Sequence, residues 1–188
     1  MGRWEPDAQN RLREAALSLF ADGGYERTTV AEIARAAGVT ERTFFRHFAD
    51  KREVLFDGQA RLQDAFVGAV TGADHDAAPL AVVAAALDAA AAHFPPERRE
   101  FSRQRGRIIA ANPGLQEREL LKLATLTDAM TEAFRRRGLA EPAASLSAHT
   151  AVVTFHVAFT QWTAPDEQRS FVDLCRSATQ ELRALTAG

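Results

Sequence analysis

The sequence predicts an all-α fold of about nine helices, in which an N-terminal three-helix helix-turn-helix unit is followed by a helical body. Apolar residues recur at the three-to-four-residue spacing of a helix face along most of the chain. Prolines stand where helices would begin, and glycines stand where helices would end. The sequence has no run of alternating β-branched and polar residues that would indicate a strand.

Four helices are expected in the first third of the chain. The pattern Thr29-Val30-Ala31-Glu32 is a capping box, in which a hydroxyl and a carboxylate satisfy free amides at a helix start. Gly38 ends this second helix, and Thr40 is the N-cap candidate of the third. The expected helices lie, in order, from an N-cap at Asp7 to Gly23-Gly24, from 30 to 37, from 41 to 47, and from about Asp50-Lys51 onward.

The rest of the chain predicts five more helices. A fifth helix is expected at about 80–94, and a basic sixth helix follows it through Ile108. The seventh ends with three arginines and a glycine, since cations favour the negative end of the helix dipole. The signals that begin or end these helices are Pro95-Pro96, Asn112-Pro113, Arg135-Arg136-Arg137-Gly138, Pro142 and Pro165.

Composition indicates a globular protein in which any contact with nucleic acid depends on local charge. Of 188 residues, 46% are hydrophobic and 26% are charged, and the net charge is −2. Cys175 is the single cysteine, which excludes an internal disulfide and a cysteine-rich zinc site. The first residues contain no apolar targeting segment, so a cytoplasmic protein is expected.

Helices 2 and 3 have the proportions of a DNA-reading helix-turn-helix. Gly38 suits the turn between them, because a Cβ would resist the backbone conformation required there. Between Tyr25 and Arg52 there are six basic and four acidic residues, a local charge of +2. The apolar wedge between the two helices is expected to consist of Ile33, Ala34, Val39 and Phe44.

Four correctly spaced blocks carry a resemblance to a known family. They are 15–20 (AALSLF), Gly24-Tyr25, 28–34 (TTVAEIA) with Ala37-Gly38-Val39, and 43–48 (TFFRHF) before Lys51. On these blocks the sequence resembles the TetR family of bacterial transcriptional regulators. The resemblance covers roughly the first third of the chain. It implies an all-helical remainder as well, a part that diverges widely within the family.

The resemblance implies DNA contacts along the helix-turn-helix. Thr28 or Thr29 would cap helix 2 near a phosphate, and His47 and Lys51 would hold backbone phosphates. Helix 3 would enter the major groove, where Arg42 is expected to read a base because arginine grips guanine O6 and N7. The full set of expected DNA-binding residues is Thr28, Thr29, Thr40, Glu41, Arg42, Thr43, Phe45, His47 and Lys51.

Two residues depart from what suits phosphate contact. Phe45 stands where the family usually has tyrosine, so it can only pack or touch a thymine methyl group. Glu41 either accepts a hydrogen bond from a cytosine amino group or caps helix 3. Both residues are expected to influence the choice of operator.

The resemblance also implies a homodimer formed by the last two helices. Residues 142–165 contain no Asp, Glu, Lys or Arg, yet they are too polar for a membrane span. The last helix adds an apolar stripe, so this helix pair has more apolar surface than a small body can cover. A four-helix bundle across a two-fold axis would bury both helices. The alternative is that the eighth helix is the central helix of a monomer.

The resemblance further implies an effector pocket in the body. The candidate side chains also fit an ordinary apolar core, which is the more common arrangement. Arg105 either meets an anionic head group or lies in solvent. A metal site is not expected, because His149 and His156 lack the i, i+4 spacing of a two-histidine site. The candidate pocket residues are Phe66, Phe101, Arg105, Ile108, Leu126, Met130, Phe134, His149, Phe155, His156, Phe159 and Trp162.

Gly58 is expected in the middle of the fourth helix, where glycine is about 1 kcal/mol less favourable than alanine. This helix would belong to both the N-terminal unit and the body. The hypothesis is that Gly58 allows a bend by which an occupied pocket changes the spacing of the two DNA-reading units.

These patterns predict a DNA-binding transcriptional regulator without cofactors. Its simplest form is a homodimeric repressor that a small apolar or amphipathic effector releases from a pseudo-palindromic operator on double-stranded DNA. Residues 1–52 would form the DNA-binding domain, and residues 53–188 the effector-binding and dimerisation domain. The alternatives are an all-helical enzyme or a protein-interaction module with a vestigial helix-turn-helix, and activation in place of repression stays open.

Overall fold

The computed structural model describes residues 8–186, and the predicted N-cap Asp7 lies outside them. Within this range the chain forms nine α-helices and two short 3-10 helices and contains no strand, as the all-α prediction expected. The α-helices are α1 (Ala8–Gly23), α2 (Val30–Ala36), α3 (Glu41–His47), α4 (Gln59–Gly72), α5 (Pro79–Ala91), α6 (Arg99–Ala110), α7 (Pro113–Arg136), α8 (Ala143–Trp162) and α9 (Phe171–Thr186).

The fourth helix begins later than predicted. Asp50 accepts hydrogen bonds from the backbone amides of Arg52 and Glu53 at 2.7 and 3.2 Å, which holds a turn at this point. A 3-10 helix follows over Glu53–Phe56, and Gly58 is the N-cap of α4 with a φ of 90°. The prediction that Gly58 lies in mid-helix is therefore wrong, because its left-handed backbone separates the two helices.

The last helix also begins later than predicted, at Phe171 instead of Pro165. Residues 163–169 form a loop whose carbonyl oxygens accept hydrogen bonds from the guanidinium groups of Arg99 and Arg103. The arginine donors satisfy carbonyl oxygens of a loop that lies outside any helix, and α9 starts after Ser170, whose hydroxyl oxygen accepts from the amide of Asp173 at 3.1 Å.

The described chain divides into two compact units. We call residues 8–57 with 104–118 the head unit, and residues 58–103 with 119–186 the body unit. The head unit therefore takes in the end of α6 and the start of α7. The compact units are defined by contacts within the chain and not by function. The division into a DNA-binding domain, 1–52, and an effector-binding and dimerisation domain, 53–188, therefore stays a prediction.

The head unit has a core of its own. Its three N-terminal helices bury apolar side chains that include Leu12, Phe20, Ile33 and Phe44. The segment 104–118 adds Ile108, Ile109 and Leu115. Polar contacts tie this segment to the earlier residues: Arg105 Nε donates to the Leu55 carbonyl oxygen at 2.5 Å, and Arg118 forms an ion pair with Glu53 at 2.9 Å.

The body unit has a larger apolar core between α4, α5, α7, α8 and α9. An aromatic cluster lies inside it, with ring centroids 5.1–6.0 Å apart and mostly edge-to-face, a favourable arrangement for phenyl rings. The members of this cluster are Phe66, Phe94, Phe155, Phe159, Trp162 and Phe171.

Within residues 8–186, no single helix is long and apolar enough to cross a membrane. The segments Pro79–Ala91 and Pro96–Ala110, which are joined at a bend, reach the length and apolar composition of a membrane span only when they are counted together.

Candidate nucleic-acid interface

The start of α2 is fixed by the predicted capping box. The hydroxyl oxygen of Thr29 accepts from the backbone amide of Glu32 at 3.2 Å, and the Glu32 carboxylate accepts from the amide of Thr29 at 2.8 Å. These hydrogen bonds lower the pKa of the Glu32 carboxyl, with the Thr29 backbone amide as the largest contributor. Of the two candidate caps, the structure places Thr29 at the N-cap position.

The turn between α2 and α3 has the geometry of a helix-turn-helix. Gly38 adopts a φ of 68°, and the amide of Val39 donates to the Ala34 carbonyl oxygen at 2.9 Å. Thr40 then caps α3, because its hydroxyl oxygen accepts from the amide of Thr43 at 3.2 Å. This turn needs glycine, since an L side chain is strained at such a φ.

The buried ring of Phe44 fixes which side of α3 faces solvent. Phe44 is fully buried, whereas the neighbouring Phe45 is 53% exposed. The same outward side carries Glu41, Arg42 and Arg46, all of them exposed. Glu41, Arg42, Phe45 and Arg46 therefore lie on one accessible side of α3. Together with Thr40 and Thr43 at the start of the helix, they form what we call the α3 face.

Arg42 and Arg46 hold their charges in solvent. Neither guanidinium has a hydrogen bond or an ion pair with any residue that the structure describes. An arginine one helical turn after another presents its guanidinium on the same side of the helix. The predicted DNA-binding set does not include Arg46, although its i, i+4 spacing from Arg42 places both side chains on the same side of α3.

Thr28 and Lys51 form hydrogen bonds within the head unit. Thr28 is only 5% exposed, and its hydroxyl donates to the Gly24 carbonyl oxygen at 2.9 Å. The ammonium of Lys51 donates to the carbonyl oxygens of Tyr25, Glu26 and Thr28 at 2.8, 3.2 and 3.2 Å. Both residues stabilise the loop between α1 and α2.

His47 lies at the end of α3 and is half-buried. Its Nε2 is shielded from solvent and has no hydrogen-bond partner within residues 8–186. The imidazole lies beside the ring of Phe48, with centroids 6.3 Å apart. A phosphate contact from this residue would therefore use the other ring nitrogen or require the side chain to rotate.

The candidate pocket residues do not all lie together. Arg105 and Ile108 belong to the head unit, where the Arg105 guanidinium carbon lies 5.1 Å from the centre of the Phe56 ring. His149 and His156 are exposed on α8, and His149 Nδ1 is 2.8 Å from the Ser145 carbonyl oxygen. The remaining candidates, all in the body unit, are Phe66, Leu126, Met130, Phe134, Phe155 and Trp162, which are buried, and Phe101 and Phe159, which are half-buried.

The candidate pocket residues line neither of two cavities among residues 8–186. A cavity of about 150 Å³ in the body unit lies between α5 and α9, beside Asp88, Cys175 and Arg176. A shallower one of about 380 Å³ lies in the head unit between α1 and α2. Burial raises the pKa of the Cys175 thiol to about 12, so the thiol stays protonated and is a poor nucleophile at neutral pH.

The eighth helix presents an uncharged outer side to solvent. Leu146 and Val153 are 63% and 60% exposed, and Val157 is 44% exposed. Between them lie His149 and His156, also exposed. We call these five residues the α8 face. An exposed apolar strip of this kind, without charged residues, is typical of a surface that another protein chain covers.

Family models match most of the chain. The model described as bacterial regulatory proteins of the tetR family matches residues 12–57, and the model described as the MftR C-terminal domain matches residues 77–187. The second match alone covers more than half of the chain.

Curated relatives match about a third of the chain. The transcriptional regulator TcmR of Streptomyces glaucescens is 47% identical over 62 residues, which is 33% of this chain and 27% of TcmR. MftR of Mycobacterium tuberculosis is 37% identical over 54 residues, 29% of this chain and 27% of MftR. These matches therefore span about a quarter of the length of each relative.

Solved structures share the fold over nearly the whole chain. SmeT, the repressor of the multidrug efflux pump SmeDEF of Stenotrophomonas maltophilia, has a TM-score of 0.59 at 21% identity, over 94% of this chain and 89% of SmeT. FadR of Thermus thermophilus, a repressor solved with lauroyl-CoA, has a TM-score of 0.54 at 21% identity, over 93% and 92% of the two chains.

Proposed function

This chain belongs to the TetR family of bacterial regulatory proteins, and from that premise we propose that it is a cytoplasmic, DNA-binding transcriptional repressor. One observation carries the proposal: Arg42 and Arg46 lie exposed and without ion-pair partners, among the described residues, on a helix that a buried Phe44 holds in place. Arginine donors that are not paired within the protein remain available for guanine edges and phosphates.

Each residue of the α3 face has a proposed role. Arg42 reads a base, and Arg46 adds a second cation one turn along the same helix. Thr40 caps α3 by accepting from the amide of Thr43, and the hydroxyl oxygens of the two residues, 3.1 Å apart, would face the groove. Phe45 contacts a thymine methyl group. Glu41 favours cytosine because its carboxylate accepts a hydrogen bond from the amino group of that base. Thr29 lies beside a phosphate, and His47 contacts the backbone at the other end of the helix-turn-helix.

We propose that the working form is a homodimer formed through α8 and α9. The exposed and uncharged α8 face supports this arrangement, because burial against a second copy removes its apolar side chains from water. A two-fold axis would place two α3 helices about 34–36 Å apart, which matches successive major grooves on one side of a duplex. The operator would then be pseudo-palindromic.

We also propose that a small apolar or amphipathic effector binds the body unit and releases the DNA. SmeT and FadR, which share the fold, are named as repressors, and FadR was solved with lauroyl-CoA. In this chain the aromatic cluster around Phe155 and Trp162 supplies apolar side chains for such a ligand, and because neither cavity is lined by them, the cluster would open to admit it. The relatives are transcriptional regulators, and we propose no enzymatic activity.

The test is equilibrium binding to the DNA that flanks the protein's own gene, with random DNA of equal length beside it. Arg42→Ala should weaken specific binding by about 1–3 kcal/mol and leave binding to random DNA nearly unchanged. Arg136→Ala is the matched control, because Arg136 is an exposed arginine of the body unit that pairs with Glu132. Equal, weak binding of both DNAs by the wild type would argue against autoregulation, and equal losses in both variants would remove the proposed role of α3.

A further inference from the structure

We propose that the α8 face binds a second copy of the chain only while its two histidines are neutral, so that mild acid separates the dimer. This condition rests on the proposed homodimer and adds to it a dependence on pH. It concerns a surface of the body unit and involves no residue of the α3 face.

The exposed residues of α8 repeat with the spacing by which two helices pack along one line. The intervals between them alternate between three and four residues, which is the pattern of the a and d positions of a heptad. Histidine stands at the same position of two successive heptads. The residues in this line, all exposed, are Leu146, His149, Val153, His156 and Thr160. A second helix packed along the line would therefore cover both imidazoles.

A second copy of the chain fits this surface better than a charged partner does. Residues 142–165 contain no Asp, Glu, Lys or Arg, so the helix has no charge that would attract an opposite charge. A two-fold interface requires a surface that is complementary to itself. An uncharged line of apolar and neutral polar side chains meets its own copy without like-charge contacts. This match holds only while the imidazoles carry no additional proton.

The hydrogen bond of His149 indicates where its ring takes up that proton. Nδ1 lies 2.8 Å from the Ser145 carbonyl oxygen, and because a carbonyl oxygen can only accept, Nδ1 carries the hydrogen. The neutral ring then has its lone pair on Nε2, which is protonated in acid. Protonation changes this nitrogen from an acceptor into a donor and adds a charge to a surface that the second copy would cover.

The helices packed against α8 are α5 and α9, and their charged groups bear on this charge. The one ionisable residue of α5, Asp88, forms an ion pair with Arg176 of α9 at 3.1 Å. Glu181 of α9 is exposed, and an ion pair between it and an imidazole would strengthen the dimer in acid, which is the opposite of the result we expect. The other charged residues of α9 are Asp173 and Arg183.

The carboxylate nearest in sequence to the α8 face is Glu141, before the start of α8. It forms an ion pair with Arg135 at 2.5 Å. It also precedes His149 by eight residues, or about two helical turns. Glu141 is therefore not placed to neutralise a protonated imidazole in the middle of the α8 face.

The expected size of the effect follows from the ordinary behaviour of histidine. An imidazole in water takes up its proton near pH 6.5, and burial without a counter-charge disfavours the protonated form. At pH 5.5 an exposed imidazole is therefore about tenfold more often protonated than neutral. Two histidines from each copy make four per dimer. The Kd of the dimer should rise by about 100-fold or more between pH 7.5 and pH 5.5.

Sedimentation equilibrium of the full chain over this pH range, without DNA, measures the change directly. DNA is left out because a charge gained by His47 would strengthen DNA binding over the same range. The double variant His149→Gln, His156→Gln keeps neutral, hydrogen-bonding side chains, and its Kd should stay within about threefold. His75→Gln is the matched control, because His75 is exposed beside Asp76 in the loop before α5 and should keep the wild-type dependence.

The double variant His149→Leu, His156→Leu covers the case in which glutamine weakens the dimer at every pH. It should dimerise at least as tightly as the wild type at pH 7.5 and lose the pH dependence. A wild-type Kd that stays constant or falls in acid, or a glutamine variant that keeps the wild-type dependence, would overturn the inference. Loss of helical circular dichroism before loss of the dimer would overturn it as well. A wild-type protein that is monomeric at pH 7.5 would instead overturn the proposed homodimer.

Discussion

Two cations of the head unit show how position decides what a charge can do. Arg42 extends from α3 into solvent, and its guanidinium has no partner among the described residues. Lys51 is enclosed by three carbonyl oxygens and the Tyr25 ring. The first remains available for a ligand that arrives from outside, whereas the second stabilises the unit that presents the first.

Tyr25 gives a direct optical test of the burial of its own ring, because it is the only tyrosine of the chain. Burial raises its pKa to about 12, with smaller contributions from Arg52, which lowers it, and from Asp50, which raises it. Phenolate absorbance in the folded protein should therefore have its midpoint near 12, against about 10 in urea. Because the folded pKa is the higher one, the stability linked to this group is complete below pH 10 and is lost between 10 and 12. A folded-state midpoint near 10 would show that the ring is accessible.

The residues of the candidate interface were predictable to different extents. Thr29 and Thr40 were identified as caps because capping depends on local sequence, and the structure confirms both N-caps. The engagement of Lys51 was not predictable, since its three carbonyl partners lie more than twenty residues earlier and meet it only in the fold. The burial of Thr28 has the same cause: its hydroxyl turns inward to Gly24.

Among the secondary-structure elements, helix periodicity identified all nine helices but not where two of them begin. The start of α4 depends on Gly58 in a left-handed conformation, and α9 starts after Ser170, whose hydroxyl oxygen accepts from the amide of Asp173. The spacing of apolar residues along the sequence indicates neither of these helix starts. The hypothesis of a flexible pivot at Gly58 therefore loses its premise of a mid-helix glycine.

Two glycines with different backbone conformations, Gly58 and Gly68, test this account of α4. Gly58 has a φ of 90°, so Gly58→Ala should destabilise the protein by about 1–2 kcal/mol. Gly68 lies within α4, and a Cβ added there meets no atom within 4 Å, so Gly68→Ala should stabilise by up to about 1 kcal/mol. Urea unfolding measures both variants. Changes of the same sign in the two would contradict the assignment of Gly58 as the residue that separates the helices.

For the molecule as a whole, the all-helical class followed from the sequence, but the composition of the compact units did not. The head unit includes residues 104–118, which contribute Ile109 and Leu115 to its buried residues. Helix periodicity shows which face of α6 is apolar without showing which unit that face joins. For the same reason, the sequence predicts Arg105 in a pocket of the body, whereas the structure shows it in contact with Leu55 and Phe56 of the head unit.

The proposed dimer makes a prediction about the same exposed surface. Val153→Lys would bury an unpaired charge in the α8 interface and should convert the protein to monomers, at a cost of about 3 kcal/mol or more. Leu120→Lys is the matched control, because Leu120 on α7 is 67% exposed and lies outside the proposed interface. Sedimentation equilibrium reads the outcome. Two variants that dimerise equally well would remove α8 from the interface.

The most direct test of the central claim, that the α3 faces of a dimer read a specific sequence, is selection of bound fragments from the source genome followed by footprinting. We expect two protected half-sites related by a pseudo-palindrome, with centres about 34–36 Å apart on one side of the duplex. Arg42→Ala should lose this footprint while its binding to random DNA persists. Fragments without a shared sequence, or a footprint that Arg42→Ala leaves unchanged, would contradict the claim.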